Sequence, residues 1–146
     1  MNQIKYDQDF HGWTQEQARL LRQRRFAELD IDNVVEEIQA LGRGERREVV
    51  SHLRLLLTHL LNWQHQPGNR GRSWRLSIEG HRIQAAKHLE ENPSLRSQLD
   101  DIQAHAYRLA RIDAERQTRL SRKTFPESCP WSFDRAISDD FWPDDG

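Results

Sequence analysis

One stretch constrains the fold of this chain more than any other. Between Gly44 and His65, the residues Val49, Leu53, Leu56, Leu60 and Trp63 recur every three or four positions, and Val50, Leu57 and Leu61 widen the stripe. That spacing places side chains on one face of an α-helix. At about 100° per residue, only Ser51, Arg54, Thr58 and Asn62 form a clearly polar strip. A helix apolar around so much of its girth belongs at the centre of a bundle.

The flanking segments read at the same period. Thr14 with Gln17 forms a capping-box pattern, predicting a helix to about Arg25 with Ala18, Leu21 and Phe26 on one side. A second helix opens near Asp30 or Asp32, carries Val34, Val35, Ile38 and Leu41, and is expected to stop at Gly42, a residue that takes a left-handed backbone cheaply. Pro67, Gly68 and Gly71 interrupt the pattern after the central helix. Ser73 then caps a helix to Glu91 on Trp74, Ile78, Ala85 and Leu89. Asn92-Pro93 opens the last one, to about Arg122, on Leu95, Leu99, Ile102, Ala106 and Leu109. Beyond it come aromatic anchors between prolines: Phe125-Pro126, Cys129-Pro130-Trp131, Phe133 and Phe141-Trp142-Pro143. Disordered tails are poor in aromatics, so residues 123–143 are expected to pack across the bundle, with at most one short helix from about Ser132. The expectation is all-α: one domain over residues 1–146, with a bundle of about five helices over 14–122.

A chain of 146 residues can bury roughly two thirds of its unfolded surface, enough for one proper core. The longest apolar run is Leu55 to Leu57, against about 20 residues for a membrane span. The first ten residues lack the basic and apolar regions of a secretory signal, and Cys129 is the only cysteine. These features predict a cytoplasmic protein without disulfides. The net charge of -1 draws the chain to neither nucleic acid nor membrane.

Histidine supplies the sharpest chemical pattern. His52 and His59 stand seven apart on the central helix, and His81 and His88 seven apart on the next. If residues 67–72 form an antiparallel turn, His59 lies level with His81 and His52 with His88. Neutral imidazole is a common metal ligand, so these four are the metal candidates, with Glu48 and the Asp101/His105 pair as added donors. Neither the Glu-x-x-His pair of di-iron bundles nor a His-Glu-x-x-His zinc motif is present. Hydrogen-bonded spacers at the edge of the core are the expected role, with no metal, cofactor or catalytic residue assigned. Cys129 has no His or Asn nearby in sequence, and Gly42-x-Gly44 does not complete a phosphate-binding loop. The pattern leans away from an enzyme.

Nineteen of the 22 positive charges are Arg. One cluster lies beside two tryptophans, giving a candidate binding patch of Trp63, Arg70, Arg72, Trp74 and Arg82. Arg beside aromatic rings suits phosphate contact and base stacking. Residues 134–146 carry five Asp against Arg135, a net -4, leaving +3 on the rest, which is weakly basic for a nucleic-acid binder. Five Trp and long amphipathic helices favour a protein-interaction or regulatory module, self-association included. Nucleic-acid binding through the Arg clusters and a His-based metal protein or metal-dependent enzyme are the alternatives.

A series of short motifs also carries a resemblance. It runs through Tyr6-Asp7, Asp9-Phe10, Trp13, Phe26-Ala27-Glu28-Leu29-Asp30, Glu36-Glu37-Ile38 and His59-Leu60-Leu61-Asn62-Trp63-Gln64. It continues in Gln66-Pro67, Ser73-Trp74, Arg82, Asn92-Pro93-Ser94-Leu95 and Phe125-Pro126-Glu127-Ser128-Cys129-Pro130. Over about Tyr6 to Pro143 the chain resembles the bacterial domain-of-unknown-function family 29. The resemblance implies an all-helical bacterial cytoplasmic domain without an assigned activity. The family usually has Gln where His81 stands; it usually has Lys where Asn62 stands and, near Gln117-Thr118, Glu before the Thr. The last two departures weaken any role for that Lys and that Glu as a charged functional pair.

Overall fold

Asp9 begins the helical structure by accepting the Gly12 backbone N–H at 3.0 Å, so that α1 spans Phe10–Arg22. The computed structural model describes residues 4–144. The other helices are α2 (Ile31–His65), α3 (Arg72–Glu91), α4 (Leu99–Thr118) and the single turn α5 (Phe133–Ala136). Short 3₁₀ turns at Phe26–Glu28, Pro67–Asn69, Pro93–Gln98 and Arg122–Thr124 join them. The fold is all-α, with no strand among the described residues. No described helix is long and apolar enough to cross a membrane.

Several boundaries differ from those read in the sequence. The first helix starts at Phe10, because Asp9 caps it; Thr14 lies inside and gives its hydroxyl to the His11 carbonyl. Its buried side is Trp13, Gln17 and Leu20, while Ala18, Leu21 and Phe26 are exposed. The expected break at Gly42 does not occur: α2 continues through Gly42 and Gly44 for 35 residues. A glycine ends a helix by turning left-handed, and neither adopts a positive φ. Asn92 closes α3 and opens a 3₁₀ turn rather than capping α4 directly. Arg119, at φ 64°, ends α4 in the left-handed conformation usually left to glycine.

The chain divides into two compact units, residues 1–44 and 45–146. In the first unit, Tyr6 gives its hydroxyl to Glu37. Trp13 donates Nε1–H to Asp30 at 2.9 Å, and Gln17 Oε1 accepts the Asp30 backbone N–H at 2.9 Å. Hydrogen bonds from Asn33 and Trp13 hold the Asp30 carboxyl below its ordinary pKa, against the effect of partial burial. Four of the motifs that carry the family resemblance therefore meet in this unit.

The second unit holds the main core. Val49, Leu53, Leu56, Leu57, Leu60 and Leu61 of α2 are fully buried with Ile78 and Leu89 of α3, and Ile102, Ala106 and Ala110 of α4. The aromatic tail closes it. Phe125, Trp131 and Phe133 are buried, and Phe141 and Trp142 pack against them half-exposed. Tyr107 gives its hydroxyl to the Pro126 carbonyl at 2.6 Å, and Gln103 donates to the Trp131 carbonyl.

The strip Ser51, Arg54, Thr58 and Asn62 is not simply a solvated face. Ser51 is exposed, but Thr58 and Asn62 are buried. Arg54 makes a two-pronged ion pair with Asp113 of α4 at 2.6 and 2.9 Å, the geometry that suits a guanidinium and a carboxylate. Asn62 donates Nδ2–H to Gln117 Oε1 at 2.8 Å. Two of the positions at which a departure from the family pattern was expected, Asn62 and Gln117, thus touch each other as a neutral amide pair.

Candidate functional site

The four histidines converge at the packed seam of α2 and α3. The expected pairs are present: ring centroids lie 6.2 Å apart for His59 and His81, and 5.6 Å for His52 and His88. The rings also interleave. His52 and His81 are 5.5 Å apart, with their Nδ1 atoms at 3.3 Å. The arrangement is one row, in the order His59, His81, His52, His88, rather than two separate pairs. Seven-residue spacing on each helix gives nearly two full turns, which keeps both imidazoles on one side of it.

Carboxylates gather at one end of the row. Glu48, one turn before His52, brings Oε2 to 3.6 Å from His52 Nε2. Glu45 Oε2 lies 3.5 Å from His88 Nδ1 and also accepts from Asn92. Glu48, His52 and His88 each place one donor atom within 4.8 Å of the others. Glu45 is the partner that sequence reasoning missed; its place one turn before Glu48 was the available signal. Asp101 and His105 are exposed and join no such group among the described residues.

Burial sets the electrostatics of the row. Desolvation lowers the pKa of His59, and His81 is lowered by desolvation and by its neighbours His52 and His59. The buried Nδ1 atoms of His59 and His88 have no hydrogen-bond partner. His65 stands elsewhere, edge-on to Phe125 at 5.1 Å, and burial lowers its pKa too.

The Arg and Trp candidates are largely turned to structural tasks. Arg82 is 1% exposed; it donates to the Ala136 carbonyl at 2.9 Å and to the Phe141 carbonyl, and its guanidinium lies 4.9 Å from the Trp142 ring centre. Arg70 donates to the Trp63 carbonyl at 2.7 Å and sits over that ring at 5.3 Å. Trp63 stacks obliquely on Trp142, with centroids 4.7 Å apart. Arg72 is exposed at the start of α3, and Trp74 is half-buried. The structure therefore ties Trp63, Arg70 and Arg82 to one another and to the tail. Burial raises the Cys129 thiol pKa, and Gln103 Nε2 approaches its sulfur at 3.3 Å. That environment holds the protonated thiol rather than the nucleophilic thiolate.

A second surface stands out in the first unit. Along the N-terminal half of α2, Ile31, Val35, Ile38 and Leu41 are 57%, 45%, 62% and 73% exposed. Outside the band, Asn33, Glu37 and Ala40 are half-buried, and so is Val34, which stands between Leu41 and Ile38 on the band itself. Spacings of four, three and three residues hold the four large side chains to a band of about 120°. Glu36 and Arg43 lie on the far face of the helix from the band, where Arg43 donates to Glu36 at 2.8 Å. Gly42 and Gly44 leave open space where a side chain would stand.

Residues 5–142 match the model of the family described as Domain of unknown function DUF29, nearly the whole chain, and the chain belongs to that family. No curated protein and no solved structure shows a significant match.

Proposed function

We propose that this member of a family of unassigned function is a bacterial, cytoplasmic protein-interaction module that pairs with a second copy of itself through the N-terminal half of α2. The observation that carries this reading is the exposed band of Ile31, Val35, Ile38 and Leu41. Scattered apolar residues are normal on a surface, but a contiguous row along one helix face is a typical contact surface.

An apolar band is complementary to itself, which supports a copy of the chain as the partner. An antiparallel pair centred between Gln39 and Ala40 sets Ile38 against Leu41 of the other copy. A two-fold axis repeats each contact, as isologous dimers require. So short a face suits a weak, concentration-dependent association.

Two further features support interaction over chemistry or nucleic acid. The Arg82 guanidinium is used on tail carbonyls, and Cys129 is buffered as a thiol. The single cysteine fits a reducing compartment.

Sedimentation equilibrium on the full chain tests the reading. The expected result is a reversible monomer–dimer equilibrium that the exposed-site variant Ile38→Lys/Leu41→Lys abolishes. A chain that stays monomeric throughout, or a dimer indifferent to these changes, would contradict it.

A further inference from the structure

We propose that Glu48, His52 and His88 form a binding site for a zinc-class divalent cation, a function that does not depend on the pairing described above. Each residue contributes one donor atom, and the three atoms lie within 4.8 Å of one another. Two come from successive turns of α2, and the third is brought over by α3. Zinc bonds its ligands at about 2.0–2.2 Å, so the donors need to draw together modestly. Glu48 can supply that movement, because its side chain is 55% exposed and free to change rotamer.

The donor chemistry selects the ion. Two imidazoles and one carboxylate make the ligand set of three-ligand zinc sites with an open position. Calcium and magnesium prefer oxygen throughout. Glu45, 3.5 Å from His88 Nδ1, stands where it could fill the open position or hold a bound water.

The surroundings prepare the ligands. Two Nδ1 atoms at 3.3 Å, those of His52 and His81, can share only one proton. With His52 as the donor, its Nε2 keeps a lone pair on the side of Glu48. Such a partner fixes the tautomer of a metal-binding imidazole, so His81 is a positioning residue here. The buried His88 Nδ1, with no hydrogen-bond partner and the Glu45 carboxylate 3.5 Å away, is a second sign. A cation there satisfies a nitrogen that protein groups leave unsatisfied.

The test is calorimetric titration of the tag-free full chain with zinc chloride, repeated in competition with a chromogenic chelator. One ion per chain is expected. His52→Gln and His88→Gln should each weaken binding at least about tenfold, and His81→Phe by about tenfold. Glu48→Gln, a change at an exposed side chain, should weaken it while helicity is unchanged, so a misfolded histidine variant does not decide the matter. His59→Gln, at the far end of the row, should bind as the parent does. Cobalt loaded in place of zinc should give a d–d absorption band that is lost with Glu48→Gln. A parent chain that takes up no zinc, or a Glu48→Gln/His52→Gln/His88→Gln variant that takes up as much as the parent, overturns the proposal.

Discussion

The two halves of α2 carry almost the same aliphatic spacing and meet opposite fates. Val49, Leu53, Leu56 and Leu60 are 0% exposed, whereas Ile31, Val35, Ile38 and Leu41 lie mostly in solvent. Periodicity states that a helix has an apolar face; it does not state what covers that face. In the second half the cover comes from α3, α4 and the aromatic tail, all present in the core cluster. In the first half the half-buried side is the more polar one, with Asn33 and Glu37 on it. The same pattern therefore encodes a core in one half and an exposed face in the other.

Matched truncations break the comparison most sharply. Leu60→Ala should cost about 2–5 kcal/mol, since it leaves a cavity in a fully buried site. Ile38→Ala should stay within about 0.5 kcal/mol at dilutions where the chain is monomeric. Urea unfolding of both variants reads the difference directly. Equal costs would mean that the first half is covered in the isolated chain.

Acidification should act on the buried half alone. Burial lowers the folded pKa of His59, which faces His81 across the seam, and of His65 against Phe125. Both are kept neutral in the fold, while the unfolded chain takes up the proton at about pH 6.5. Their stabilising contribution is complete above that pH and is lost as pH falls from it toward the folded values. The urea midpoint should therefore drop between about pH 7.5 and about pH 5.5, and drop less in His59→Gln. A midpoint that rises on acidification would reverse the sign and the account of the row.

The smallest effect concerns the join. Gly42 is helical without a positive φ, and a Cβ there meets nothing within 4 Å. Gly42→Ala should raise stability by up to about 1 kcal/mol, the cost of glycine inside a helix. Loss of stability would show that the helix needs a flexible point there.

How much was legible in the sequence follows the same division. The stripe Val49 to Leu61 and the level pairing of the histidines could be read, because both depend on helix geometry and one short turn. The reading placed a stop at Gly42 because glycine permits a left-handed turn without compelling one. Ala18, Leu21 and Phe26 looked like a buried face, yet Asp9 sets the start of α1 and the inward residues are Trp13, Gln17 and Leu20. The polar strip Arg54, Thr58 and Asn62 concealed a buried seam, since its partners Asp113 and Gln117 lie more than fifty residues away. Arg82 looked available for ligands, and only the folded tail reveals the carbonyls it binds. Long-range polar partners leave no local period to detect.

Hydrogen–deuterium exchange along α2, measured at low and high protein concentration, tests the central contrast most directly. The account predicts strong protection over residues 49–61 at both concentrations, and protection over residues 31–44 that rises with concentration. Uniform protection along the whole helix that is independent of concentration would contradict it.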